Sequence, residues 1–209
     1  MTAFRGLSGL KIILSALAIS FLSPLHQAQA GLFNMPHFVE PGKNAVGFEP
    51  EITLTHGGGV AGNIHYTQGL TPLNNLNLIL GTGTDSRQFR VGGSFTFDFV
   101  PDIGDQPGMG IAAQAIYYRY HDEYGQLETA AIPYIHKSFH DGQGNVVEPF
   151  LALPLGPAFR SGHYKWTTAI VLGAMYQPKA AAVRFIGELG VNLNKTESYI
   201  SGGILYQPE

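Results

Sequence analysis

The chain has no cysteine, few charged residues and no apolar run long enough to cross a bilayer as a helix. Without cysteine there is no disulfide framework, no thiolate-ligated zinc or iron–sulfur centre and no thiol nucleophile. Charged residues make up 13% of the 209-residue chain, about half of the roughly 25% usual in soluble domains. No basic cluster of the kind that neutralises phosphates is present, so a nucleic-acid partner is not expected. The longest apolar run, Ile12 to Leu22, has eleven residues, whereas a spanning helix needs about 20. Membrane residence therefore requires the other permitted solution, a closed β-barrel. At the same time 44% of the residues are apolar, with 13 Phe and 10 Tyr, which is too many for a disordered chain.

Arg5 and Lys11, the run Ile12 to Leu22 and the small-residue site Ala28-Gln29-Ala30 read together as a secretory signal peptide over residues 1–30. Removal after Ala30 leaves ten basic residues against fifteen acidic ones, a formal charge of −5. Residues 31–44 read as a periplasmic N-terminal segment and 45–209 as a barrel domain.

Beyond the leader the dominant pattern has period two. From Arg87 to Val100, Phe89, Val91, Gly93, Phe95, Phe97 and Phe99 occupy one parity, and Gln88, Arg90, Gly92, Ser94, Thr96 and Asp98 the other. A helix, with 3.6 residues per turn, would scatter those four Phe side chains around its circumference. Residues 45–56 and 182–194 alternate in the same way. Breaking the rest at Gly, Pro, Asn and Asp clusters gives further strands near 59–70, 74–84, 108–121, 124–138, 146–156, 163–177 and 197–207, ten in all. Pro50, Pro133, Pro149 and Pro154 fall inside these strands, where each removes a ladder donor. If 146–156 is irregular for that reason, the count falls to eight. The fold class expected is all-β, a closed antiparallel up-and-down barrel.

Alternation alone does not say which face is outside. Low charge suits a barrel whose whole outer face meets hydrocarbon. Trp166 and Tyr176 share a parity and bracket Thr168, Ile170, Leu172 and Ala174; at ~3.3 Å per residue and ~40° tilt they stand about 25 Å apart along a membrane normal, the height of an apolar band. Tyr164, Tyr199 and Tyr206 are expected in the same interface girdles. The opposite parity supplies both signs of charge, Glu148 included, and Glu49, Glu51, Arg90, Asp98, Lys165, Arg184 and Glu188 are expected to form a charge network in the lumen.

Through its leader, its alternating strands of about ten residues and its aromatic strand ends, the chain resembles the small outer-membrane β-barrel proteins of Gram-negative bacteria. The resemblance implies residence in the outer membrane, lipids and the barrel-assembly machinery as partners, both termini in the periplasm, and short periplasmic turns with longer outer loops. The present sequence departs from the last of these, because its longest connections, Pro101 to Gly108 and Phe139 to Asn145, lie on the periplasmic side. The role expected is structural or surface interaction without catalysis, cofactor or metal.

Two other classes stay open. A soluble periplasmic barrel would gather its Phe-rich face around an apolar ligand. A lipid-modifying enzyme would require His65, Ser94 and Glu51 to converge, although no Gly-x-Ser-x-Gly elbow is present. His136 and His140 have the spacing of paired metal ligands on a helix, but in a strand they stand more than about 13 Å apart. His37, His56 and His121 read as loop or interface residues. Gly81-Thr82-Gly83-Thr84 lacks the Gly-Lys and helix of a phosphate cradle and reads as a turn. A wide pore needs about 16 strands, so only a narrow or gated path is compatible with this length.

Overall fold

A computed structural model describes residues 39–55, 58–84, 88–119, 125–179 and 181–208. The leader, most of the following segment, His37, His56 and His121 lie outside them. The elements are β1 (Asn44–Thr53), β2 (Gly59–Thr71), β3 (Asn74–Gly83), β4 (Phe89–Val100), β5 (Gly108–Arg119), β6 (Gly125–His136), β7 (Phe139–His140), β8 (Val146–Ala152), β9 (Leu155–Arg160), β10 (His163–Gln177), β11 (Val183–Asn194) and β12 (Tyr199–Tyr206). Every pairing is antiparallel, and β1 pairs with both β2 and β12, which closes the sheet. The barrel has ten staves.

The seventh stave is β8 and β9 taken together. Tyr134 opposes Ala152 and Ala131 opposes Leu155 on one side; Val171 opposes Ala152 and Thr168 opposes Leu155 on the other. Register is therefore continuous across Leu153–Pro154, although proline interrupts the ladders on both sides of the stave. The stave runs to Arg160, further than the sequence suggested, and the count is ten. The two-residue β7 lies outside the ring and pairs only with Val146 and Val147.

Strand alternation puts one parity out and the other in. In β1, Val46, Phe48, Pro50 and Ile52 are exposed while Ala45, Gly47, Glu49, Glu51 and Thr53 are buried. In β4 the outward set is Phe89, Val91, Phe95, Phe97 and Phe99, and the inward set includes Arg90, Ser94, Thr96 and Asp98. The exterior is thus apolar and the interior carries the charges, the inverse of a soluble domain. Outward aromatics stand at both ends of β10. Tyr164 lies 6.5 Å from Phe159 near Trp166, and Tyr176 stacks on Phe185 at 6.4 Å at the other end of β10.

The connections at 72–73, 101–107, 137–145 and 178–182 lie at the same end as the start of β1 and the end of β12. The two longest are among them, as the sequence indicated. The chain entering β1 tucks into this end: Val39 is buried with Ala45 and Leu205. A Cβ on Gly69 would fall 2.2 Å from the Glu40 carbonyl oxygen and 2.3 Å from that of Val39, so only glycine admits the segment.

Candidate functional site

The bore between the staves is the site. Its lining divides into two halves of different chemistry. The wall built by β1 to β4 is polar, with Glu49, Glu51, Asn63, His65, Thr67, Asn75, Asn77, Arg90, Ser94 and Thr96 all buried. Thr67 donates to Asn77 (2.9 Å) and Asn77 to Ser94 (3.3 Å), a side-chain ladder across three strands in register. The opposite wall carries a buried apolar cluster of Ala112, Ile132, Tyr134, Phe150, Ala152, Val171 and Met175 from β5, β6, β8 and β10.

Three ionic groupings sit at successive heights. Nearest the far end, the Arg90 guanidinium donates to Glu51 at 2.9 Å, with both side chains 1% exposed. Its stem crosses β3 at Gly81, where a Cβ would meet Asn63 Oδ1 at 2.2 Å and Arg90 Cγ at 2.8 Å. The guanidinium also lies 5.5 Å from the Tyr118 ring centroid, a cation–π contact. Lower, His65 Nε2 lies 2.6 Å from Glu49 Oε2, and the Tyr199 hydroxyl donates to Glu188 at 3.1 Å. Towards the termini, His136 sits between two carboxylates, with Nε2 3.0 Å from Asp98 and Nδ1 2.7 Å from Glu148. Tyr134 donates to the same Asp98 at 2.7 Å. A neutral imidazole would turn one lone pair towards a carboxylate, so this arrangement holds a proton on both ring nitrogens or on one carboxyl. Each carboxylate of these groupings has an ion-pair or hydrogen-bond partner within them, which is what burying charge demands.

Of the seven charges expected in the lumen, Glu49, Glu51, Arg90, Asp98 and Glu188 are buried inside. Lys165 and Arg184 are half-buried near opposite ends. Lys165 shares a row with Ala158 and Glu128, and Arg184 donates to Gln207 at 3.0 Å. His65, His136, Tyr134 and Tyr199 belong to the groupings although sequence reasoning did not place them there; Glu148 joins them from the charged parity. Their parity was the available signal, since His65 lies two residues from Asn63 and Thr67, and His136 two from Tyr134.

Trp166, Tyr176 and Tyr206 are exposed on the outer face. Tyr199 is a correction: it is 0% exposed and points into the lumen. It is seven residues from Tyr206, an odd separation, so the two cannot share a face of β12. Its ring fills the space over Gly190, where a Cβ would approach Cε1 to 2.0 Å.

His65 and Ser94 do not sit side by side. Ser94 shares its row with Thr67, not His65, and β3 intervenes, which puts their Cα atoms about 12 Å apart. His136 is buried while His140 is exposed, so that pair faces two environments. Among the described residues no group of three or more His, Asp or Glu is arranged to hold a metal ion.

At the termini end the bore widens into a vestibule of about 510 Å³, lined by Asp98, His136, Glu148, Met175, Gln177 and Arg184 among others. Arg184 and Gln177 also line a second recess of about 300 Å³ beside Glu40 and Gln207. Across the vestibule rim, Lys137 donates to Asp102 and to the Gly104 and Gln106 carbonyls, and the Ser138 amide donates to Asp102 at 2.7 Å.

An apolar outer face and an enclosed, internally paired hydrophilic lining define a closed antiparallel barrel of the architecture found in small outer-membrane barrel proteins. One solved structure agrees on the fold. The chain is similar to an outer membrane channel from Pseudomonas putida F1 at 10% identity, covering 85% of this chain and 100% of that one, with a TM-score of 0.53. It is also similar to a de novo designed transmembrane β-barrel at 10% identity, over 82% of this chain and 100% of that one, with a TM-score of 0.38. No protein-family model matches the chain, and no curated protein sequence does.

Proposed function

We propose that the chain is an outer-membrane β-barrel of Gram-negative type whose lumen is held shut by its own side chains, and whose role is structural or one of surface interaction. The observation that carries the reading is the inverted burial of β1 and β4, with Phe48, Phe95 and Phe99 turned outward and Glu51, Arg90 and Asp98 enclosed. An exterior of this kind in water would be an aggregation surface; in hydrocarbon it is the expected state. The same observation counts against a soluble ligand-binding barrel, which needs the Phe rings gathered inside. Fractionation of cells expressing the full chain tests this. Recovery in the outer-membrane fraction, with mobility that changes on heating in detergent, is expected; recovery in the soluble periplasm without detergent overturns the reading.

A gated channel is the second reading, favoured by the charged vestibule, and the similar structure from Pseudomonas is described as an outer membrane channel. The Arg90–Glu51 pair would be its constriction. Planar-bilayer recording separates the two: a silent wild-type barrel supports the closed lumen, and steady ohmic conductance supports the channel.

A further inference from the structure

The hydrogen-bond ladders are not equally complete around the ring. In an antiparallel pair, narrow positions exchange two backbone bonds and wide positions none. The Leu153 amide donates to the Pro133 carbonyl and the Lys137 amide to the Pro149 carbonyl, which identifies the narrow positions between β6 and the seventh stave. With the register of β6 on β8 and β9 they are 137/149, 135/151, 133/153, 131/155, 129/157 and 127/159. Proline occupies one side of three of these six, at Pro149, Pro133 and Pro157, and each such pair keeps one bond of two. The paired residues between Glu128 and Tyr134 are accordingly reduced to Ala131 with Leu155. Pro50 and Pro154 are the remaining strand prolines, and each removes a single donor from a different seam.

What stands behind this seam is the apolar wall of the bore. Ile132 and Tyr134 belong to β6, Phe150 and Ala152 to the seventh stave, and Val171 and Met175 to β10 beside it. In front of it, Ala131, Pro133, Ile135, Leu151 and Leu153 are exposed on the outer face. Apolar surface is therefore continuous from outside to inside across the boundary from which proline removes the most donors. The vestibule reaches Met175 from below, which provides free volume next to the cluster.

We propose that the seam between β6 and the seventh stave is a lateral opening through which an acyl chain of a membrane lipid enters the apolar half of the lumen. Local opening between Glu128 and Tyr134 breaks four backbone bonds where a ladder without proline would have six, and the entering chain meets the cluster of Ile132, Phe150, Val171 and Met175. The polar wall of β1 to β4, with its Thr67–Asn77–Ser94 ladder, stays closed. The proposal rests on the membrane reading above.

The test uses the full chain in phospholipid vesicles containing a phospholipid with a photoreactive group at the end of one acyl chain, with labelled residues mapped by mass spectrometry. Expected is labelling of lumen-facing Ile132, Ala152 or Met175 as well as of outward Phe95. The triple variant Pro133→Ala, Pro149→Ala, Pro157→Ala restores three donors, and it should lower the lumen labelling about tenfold, since each net bond shifts an opening equilibrium by a few-fold. Phe95 labelling should not change, and Pro50→Ala should leave both unchanged. Label on Phe95 with none in the lumen overturns the lateral opening and leaves the membrane reading standing, as does lumen label that the triple variant does not reduce. Absence of label at Phe95 as well means the chain is not in the bilayer, and the membrane reading fails.

Discussion

Arg90 and Glu51 show what a single residue costs in this lumen. Removing one partner of a buried ion pair leaves the other uncompensated, at about 3–5 kcal/mol, whereas replacing both by uncharged groups of similar size is close to neutral. Arg90→Met should therefore lower the unfolding midpoint in urea markedly, and Arg90→Met with Glu51→Gln should recover most of the loss. Trp166, the only tryptophan and exposed on the outer face, reports both transitions by fluorescence. Glycine carries the complementary constraint. A Cβ on Gly173 would fall 2.2 Å from two atoms of the Phe150 ring, so Gly173→Ala should cost about 1–3 kcal/mol by overpacking. Adding Phe150→Leu should return part of it in the same assay. The partner of each interior charge was not legible from parity, because parity names the wall and not the neighbour across the bore. Tyr199 shows that parity was nonetheless informative: its odd separation from Tyr206 already placed it inside.

At the scale of elements, turn-residue clusters in the sequence end the seventh stave at residue 156, whereas the structure carries it to Arg160. The structure shows a strand that tolerates Pro149, Pro154 and Pro157 within continuous register, since a barrel stave is held on two sides and each proline removes a donor from only one. The connections at the termini end show a second device. Asp102 in the 101–107 connection accepts from Lys137 and Ser138 in the next one. Partial burial pushes its carboxyl up, but the bonds from Lys137 and Ser138 together outweigh this and hold it below the usual aspartate value of 3.8. A group with a lowered native pKa contributes stability above its unfolded pKa and loses it as pH falls through the native one. The link between the two connections should thus persist through neutral and mildly acidic pH. It should release only below about pH 4, with the Ser138 amide resonance in detergent micelles moving with a midpoint under 3.8. Asp102→Asn should abolish that titration.

On the scale of the whole molecule, assembly depends on which face meets lipid. Phe95 lies near the middle of β4 on the outer face, where an arginine at mid-bilayer depth costs roughly 2–4 kcal/mol. Phe95→Arg should reduce the folded, heat-modifiable fraction in the outer membrane, while Phe95→Leu should not; equal yields of the two would place this face elsewhere than in hydrocarbon.

The sequence by itself determined the all-β alternation, a barrel of ten strands or eight, and the segregation of charge to one face, because a strand has two faces and a chain this poor in charge has hydrophilic groups enough for only one of them. Tertiary structure alone decided that the lumen has an apolar half. In β6 both parities carry apolar residues, Leu127, Ala131 and Ile135 outward and Ile132 and Tyr134 inward, so alternation is silent there. Only closure of the ring, which sets Ile132 and Tyr134 against Phe150, Val171 and Met175, turns those side chains into one surface and puts it behind the donor-depleted seam.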